Sequence, residues 1–313
     1  MRKRRNTNFL TLLLLGIALL SLVLCWLLFP QEKEKVDVEV EISVLFPDGE
    51  IRQVALEDFV FQVLAGEMPA SFQPEALAAQ AIAARTYLCG KMLQPKHGEA
   101  AVCCDSTCCQ AWVDPDSLEN KWGEEAKTYT AKLKAAVADT EGLILVYEGE
   151  PAQAFFCSTC GGKTEASGAV WSQDIPYLQP VSCGYCEISP RFAGAKAFSL
   201  TECSALLGVA PEALGEMYVN GQTPGGRVDY LTVGEKTYRG TEIRSLLGLN
   251  SAAFAWLIRG EEIIWLTLGY GHGVGLCQYG AEGMAMRGYP YPEILLHYYP
   301  GCTIQDISCI IGT

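Results

Sequence analysis

Residues 66–88 read GEMPASFQPEALAAQAIAARTYL, and this stretch decides how the chain is organised. From Pro74 the residues PEALAAQAIAARTYLCGKML (74–93) predict a long helix. Its alanines at 76, 78, 79, 81, 83 and 84 leave little side-chain bulk, so neighbours can approach closely and the helix belongs in a core. Just upstream, LEDFVFQVLAG (56–66) predicts a second helix, closed by Gly66 with Pro69 beyond it. Glu67 therefore stands where a helix gives way to a proline-bearing loop, flanked by apolar Ala65 and Met68. Desolvation there would raise its carboxyl pKa, and an acid kept partly protonated near neutrality can donate a proton in catalysis. The spacing alone favours an ordinary loop or capping carboxylate over a catalytic acid.

Outward from this pair, Val36, Val38, Val40, Ile42 and Val44 alternate with polar residues as in a half-buried strand, and PDG (47–49) turns the chain into a second strand over 51–56. Hairpins are predicted over 143–156, with the turn near Gly149, and over 229–240. Further helices are expected at 242–247, 282–287 and 292–298, and a strand at 262–268. Strands and helices mix without a βαβ rhythm, which predicts an α+β fold. The pattern is weakest over 187–226, which reads as a small insertion.

The chain has 313 residues, half of them hydrophobic, which excludes disorder as its dominant state. Its net charge is -13 even with Arg2, Lys3, Arg4 and Arg5 included, which argues against a nucleic-acid partner. Residues 9–29, FLTLLLLGIALLSLVLCWLLF, carry no charge and are long enough to cross a hydrocarbon core of about 30 Å. The basic cluster before them keeps residues 1–8 cytoplasmic. Residues 30–35 are then a linker, and 36–310 form one domain outside the cell membrane, anchored by a single pass.

The 14 cysteines cluster. In KHGEAAVCCDSTCCQAW (96–112), His97, Cys103 and Cys109 are spaced six apart, and an imidazole with two thiolates suits Zn²⁺. Three ligands would leave a fourth position open for catalysis. Cys104 and Cys108 also permit disulfides there. Two C-x-x-C pairs, Cys157/Cys160 and Cys183/Cys186, have the spacing of a structural four-thiolate Zn²⁺ site, against two disulfides. Farther on, GYGHGVGLCQYGAEGMA (269–285) places His272 among alternating glycines that let backbone approach a ligand. Gln278 and Tyr279 follow at a helix start, and Tyr289, Tyr291, Tyr298 and Tyr299 are candidates for a sugar-binding face.

Taken together, GEMPASFQPEALAAQAIAARTYL, CQAW, FFCSTCGGKTE, RSLLGLNSAAF, GHGVGLCQYGAEGMA and EILLHYYPG, in that order, resemble the stage II sporulation protein D family (the SpoIID/LytB domain). The resemblance implies a membrane-anchored lytic transglycosylase. Such an enzyme cleaves the N-acetylmuramyl to N-acetylglucosamine bond of peptidoglycan glycan strands to a 1,6-anhydro product, prefers strands stripped of stem peptides, and works with a partner amidase/endopeptidase in sporulation engulfment. It places the catalytic glutamate on Glu67 and zinc ligands on His97, Cys103 and Cys109. Arg85, His272, Gln278 and Tyr279 become candidates for orienting the sugar. Some relatives are instead enhancers of an amidase, which leaves a non-catalytic, glycan-binding alternative. Many members carry histidine at the places of Cys157 and Cys108, and serine at those of Cys160 and Cys277, so the second cysteine cluster departs from the common pattern.

Overall fold

Ile42 and Val44 are buried and the residues beside them are not, the period-2 signature of a strand covered on one face. This strand, β1 (Glu41–Leu45), turns through Pro47–Gly49, where Gly49 has φ 87°, and pairs antiparallel with β2 (Ile51–Ala55). The computed structural model describes residues 40–171 and 173–311; the apolar run 9–29 and the expected strand residues Val36 and Val38 lie outside them. Among the described residues, no helix is long and apolar enough to cross a membrane.

Two helices follow, α1 (Leu56–Glu67) and α2 (Pro74–Leu93). In α2 every residue from Ala76 to Thr86 is buried, so the helix is enclosed on all sides rather than amphipathic. Its alanines make that possible, because a helix without bulk can be surrounded at short interaxial distance. After β3 (Val102–Cys103), which adds to β1 in parallel, come the short α3 (Leu118–Trp122) and α4 (Ala126–Ala138). Next are β4 (Leu143–Tyr147), β5 (Glu150–Pro151), β6 (Phe156–Cys157) and a single turn, α5 (Ser167–Val170). The predicted hairpin turn at Gly149 is present, with φ 87° at that glycine.

The segment read as an insertion over 187–226 belongs to a larger unit with its own core. It contains β7 (Ala193–Ser199), α6 (Leu200–Leu207), β8 (Tyr218–Gln222), β9 (Val228–Val233), β10 (Lys236–Arg239), α7 (Gly240–Leu247), β11 (Phe254–Arg259) and β12 (Glu262–Leu268). Two antiparallel sheets, ordered β10-β9-β8 and β11-β12-β7, enclose Phe198, Leu207, Leu231, Ile243, Leu249 and Trp265. Strands β7 and β8 lie within the weakly patterned stretch but pair with β12 and β9 outside it. Local periodicity cannot show where such a unit ends. The chain then returns to the first core through β13 (Leu276–Cys277), α8 (Gln278–Ala285), α9 (Tyr291–Tyr298) and β14 (Thr303–Asp306), which pairs with β4. The fold is α+β.

Candidate active site and thiol clusters

Glu67 is the last residue of α1, and the segment 110–113 is clamped across that helix end. The Ala111 amide donates to Glu67 Oε1 at 2.5 Å, Trp112 Nε1 donates to Gln62 Oε1, and the Val113 amide donates to the Gln62 carbonyl. Gly66 permits the approach, since a Cβ there would stand 2.9 Å from the Ala111 carbonyl carbon. Burial raises the Glu67 pKa, and the Ala111 hydrogen bond opposes that shift only in part. No hydrogen bond occupies Oε2 among the described residues, so this oxygen is the one free to carry a proton. Replacing Gly66 by Ala is expected to force the 111–112 backbone outward at a cost of about 1–3 kcal/mol. A denaturant midpoint that does not fall would show that the clamp relaxes freely.

Glu67 lines a cleft of about 530 Å³ together with Tyr87, Lys91, Lys96, Gln110, Phe155, Phe156, Trp171 and His272. Glu67 is the one carboxylate among the described residues that line it. One wall is aromatic: the Phe155 and Trp171 rings are 4.6 Å apart, and those of Trp171 and His272 5.0 Å. His272 thus lines the cleft that holds Glu67. Its Nδ1 accepts the Val274 amide, and burial together with Arg244 and Arg227 lowers its pKa to about 4, so the ring is neutral at physiological pH.

Three other expectations need correction. Arg85 is fully buried in α2, where it grips Glu57 through Nε at 2.7 Å and Nη2 at 2.5 Å and donates to the carbonyls of Leu143 and Val137. It braces the core and does not reach the cleft. Gln278 is also buried, and its Nε2 donates to the backbone carbonyl of Glu67 at 3.1 Å, so it supports the glutamate from behind. Tyr279 packs edge-on against Phe72, 5.0 Å between centroids, and is not among the residues that line the cleft. Likewise Tyr298 and Tyr299 are buried, and the Tyr299 hydroxyl donates to the Phe155 carbonyl. The aromatic wall uses Phe155, Phe156 and Trp171, whose convergence no sequence period signals.

Gln110 also escaped sequence reasoning. It is 4% exposed, lines the cleft, and neither its Oε1 nor its Nε2 has a hydrogen-bond partner among the described residues. A buried amide left unpaired costs free energy unless a ligand completes it.

Beside the cleft, the ligand atoms of His97, Cys103, Cys108 and Cys109 all lie within 4.8 Å of one another. His97 Nε2 stands 3.3 Å from Cys109 Sγ and 3.6 Å from Cys108 Sγ. The donor set of one imidazole and three thiols fits Zn²⁺. Cys108 takes the fourth position that the sequence left open, and four protein ligands are the pattern of a structural metal rather than a catalytic one. Because Cys109 precedes Gln110 and Ala111, a metal here would fix the segment that holds Glu67.

The family model for "Stage II sporulation protein" (SpoIID) matches residues 48–147, which span both helices and this cluster. Stage II sporulation protein D of Bacillus subtilis is 39% identical over 268 residues, covering 84% of this chain and 78% of the relative. The chain belongs to the stage II sporulation protein D family. The Bacillus amyloliquefaciens member is 38% identical over 84% of the chain and 77% of its own length. An amidase enhancer of Bacillus subtilis is 26% identical over 78% of the chain and 40% of the enhancer.

In this member of the stage II sporulation protein D family, the second cysteine cluster has a different membership from the one expected. Cys160, Cys183 and Cys186 come together with Cys277, and Cys157 is not part of the group. Cys157 and Cys277 face each other as register partners of the parallel pair β6–β13. Successive strand side chains alternate faces, and Cys160 has already left the strand, so the C-x-x-C spacing alone does not put both thiols on one point.

Proposed function

We propose that this chain is a peptidoglycan lytic transglycosylase acting through Glu67. The observation that supports this most directly is a single half-buried carboxyl group in an aromatic-walled cleft. A hydrolysing glycosidase uses two carboxyl groups, the second to activate water or to act as nucleophile. Transglycosylation needs one. Glu67 Oε2 donates its proton to the glycosidic oxygen as the bond to the anomeric carbon breaks. The substrate's own 6-hydroxyl then attacks that carbon, and Oε2 takes up the hydroxyl proton. No water is consumed, and the 1,6-anhydro sugar is the product. Burial favours the protonated form that starts the cycle, while the Ala111 amide stabilises the carboxylate present in its middle.

The rest of the cleft fits a glycan. Trp171, 36% exposed, offers a face on which a sugar ring can stack. Lys91 and Lys96 make the cleft cationic on an acidic chain, which suits muramyl residues whose lactyl carboxylates have been freed of peptide. The Gln110 amide presents one donor and one acceptor, the complement of an acetamido group. Gln110→Ala is expected to raise KM for N-acetylated strands about tenfold, the worth of roughly one hydrogen bond. Thermal stability should hold or rise, because two unpaired buried atoms are removed. An unchanged KM would remove Gln110 from the site.

Sporulation is the setting that the family supports, engulfment is the stage proposed within it, and the amidase-enhancer relative supports a partner amidase. Residues 9–29 would anchor the domain outside the cell membrane, which protease accessibility on intact cells against lysed cells can check. Mass spectrometry of peptide-stripped glycan incubated with the protein tests the activity: 1,6-anhydro-muramyl ends are expected. Reducing ends without anhydro sugar would mean hydrolysis. Glycan binding without cleavage, with stimulation of an added amidase, would establish the non-catalytic reading.

A further inference from the structure

Four thiols from three distant places in the chain meet in the first core. Cys160 follows β6, Cys183 and Cys186 bracket a tight turn, and Cys277 caps the N-terminus of α8. All four are buried, and their sulfurs all lie within 4.8 Å of one another. Cys160 Sγ and Cys186 Sγ are 3.7 Å apart. A tetrahedron of sulfurs around Zn²⁺, with bonds of about 2.3 Å, has edges of about 3.8 Å, whereas a disulfide brings two sulfurs to about 2.05 Å. The Cys160–Cys186 separation matches such an edge and is too long for a disulfide.

The surroundings fit the charge such a site would carry. Four thiolates and one Zn²⁺ leave two negative charges in the interior, which is costly unless donors face the sulfurs. The amides of Cys160 and Gly280 both donate to Cys277 Sγ, at 3.2 and 3.3 Å, the second being the N-terminal cap of α8. The Tyr298 hydroxyl stands 3.1 Å from Cys183 Sγ. Two glycines on one face of α8 make the assembly possible. A Cβ on Gly280 would stand 2.7 Å from Cys183 Sγ, and one on Gly283 would stand 2.2 Å from the Tyr185 carbonyl oxygen, so the 183–186 turn can lie flat against the helix.

We propose that Cys160, Cys183, Cys186 and Cys277 bind Zn²⁺ as a closed tetrathiolate site that staples α8 and the 183–186 turn to the β6 edge. Each thiol releases its proton to solvent as the metal binds. The site supports the cleft from beneath: Phe155 and Phe156 lead into the cysteine loop, and Gln278, beside Cys277, holds the Glu67 carbonyl. This assignment rests on the thiols alone and does not depend on the glycan reading.

The test is metal content of the full chain, purified in detergent without chelators. A Cys103→Ser/Cys109→Ser background removes the histidine-containing cluster. In that background one equivalent of zinc is expected to remain. Adding Cys277→Ser should abolish it, and adding Cys157→Ser should leave it in place. Retention of zinc with Cys277→Ser, or its loss with Cys157→Ser, would overturn the assignment. Should the Cys277→Ser protein not fold, Co²⁺ bound to the background variant decides, because four thiolates give intense sulfur-to-cobalt charge-transfer absorption and its absence would refute the site. An intact mass under non-reducing, denaturing conditions that shows disulfides among these four cysteines would equally refute it.

Discussion

Glu67→Gln should abolish formation of anhydro-muramyl ends, with a fall in rate of about 10²–10⁴-fold, the usual contribution of a positioned acid and base. The substitution keeps the geometry. An amide oxygen at Oε1 still accepts the Ala111 amide, so the clamp between α1 and the 110–113 segment survives. What is lost is the proton on Oε2. Stability gives an independent readout whose sign follows from burial. The Glu67 pKa is raised in the folded protein, so the folded state holds that proton more tightly than the unfolded one. The resulting stabilisation is fully present below the unfolded carboxyl pKa and is lost as pH rises through the folded value. At neutral pH the ionised, desolvated carboxylate is therefore a liability, and Glu67→Gln is expected to melt no lower than wild type. On the acid side of the ordinary glutamate range the two proteins should converge. The wild-type rate should fall as pH rises through the folded pKa, above the ordinary range of about 4.3. Full cleavage by Glu67→Gln, or loss of cleavage accompanied by a lower melting temperature, would remove Glu67 from the proton-transfer role.

Arg85→Ala should act on the other axis. Its guanidinium has no exposed surface and joins Glu57 at the start of α1 to the Val137 carbonyl near the end of α4 and the Leu143 carbonyl at the start of β4. Removing one partner of a buried, hydrogen-bonded ion pair costs about 3–5 kcal/mol, and the lower end applies because the Glu57 side chain keeps 30% of its exposure. A loss of that size is a large part of a typical domain's stability. Arg85→Lys should recover only part of it, since an ammonium cannot reproduce the two-pronged contact. The denaturant midpoint is expected to fall sharply, and KM of the remaining folded protein to stay unchanged. A raised KM at unaltered stability would restore Arg85 to substrate binding.

The contrast between these two residues shows where a sequence informs and where it stops. The position of Glu67 was legible because a helix end, a proline loop and apolar neighbours mark it locally, while its candidate catalytic role came from the family resemblance. Arg85 was not, because an arginine in a helix looks the same whether its side chain meets solvent, substrate or a carboxylate 28 positions away. The helix start read at Gln278 is that of α8, although its N-cap is a cysteine thiol, outside the set of residues that ordinarily mark a helix start, and the helix ends at Ala285, two residues before the expected end at 287. The predicted strand over 262–268 coincides with β12, whose buried residues alternate along it. That pattern is written by one strand alone, whereas the membership of the second core depends on which strands it pairs with.

By itself, the sequence determined the α+β class, the main helices and strands, the candidate acid Glu67 and the presence of two thiol-rich clusters. Each of these depends on residues close together in the chain, where periodicity and composition express backbone geometry directly. Only the tertiary structure decided that Arg85 and Gln278 are supports, that Gln110 and Trp171 face the cleft, that Cys108 completes one cluster, and that Cys277 replaces Cys157 in the other. Those assignments depend on where side chains converge after β6, the 183–186 turn and α8 have packed together, and packing is fixed by volume and hydrogen bonding across the core, which spacing along the chain does not record.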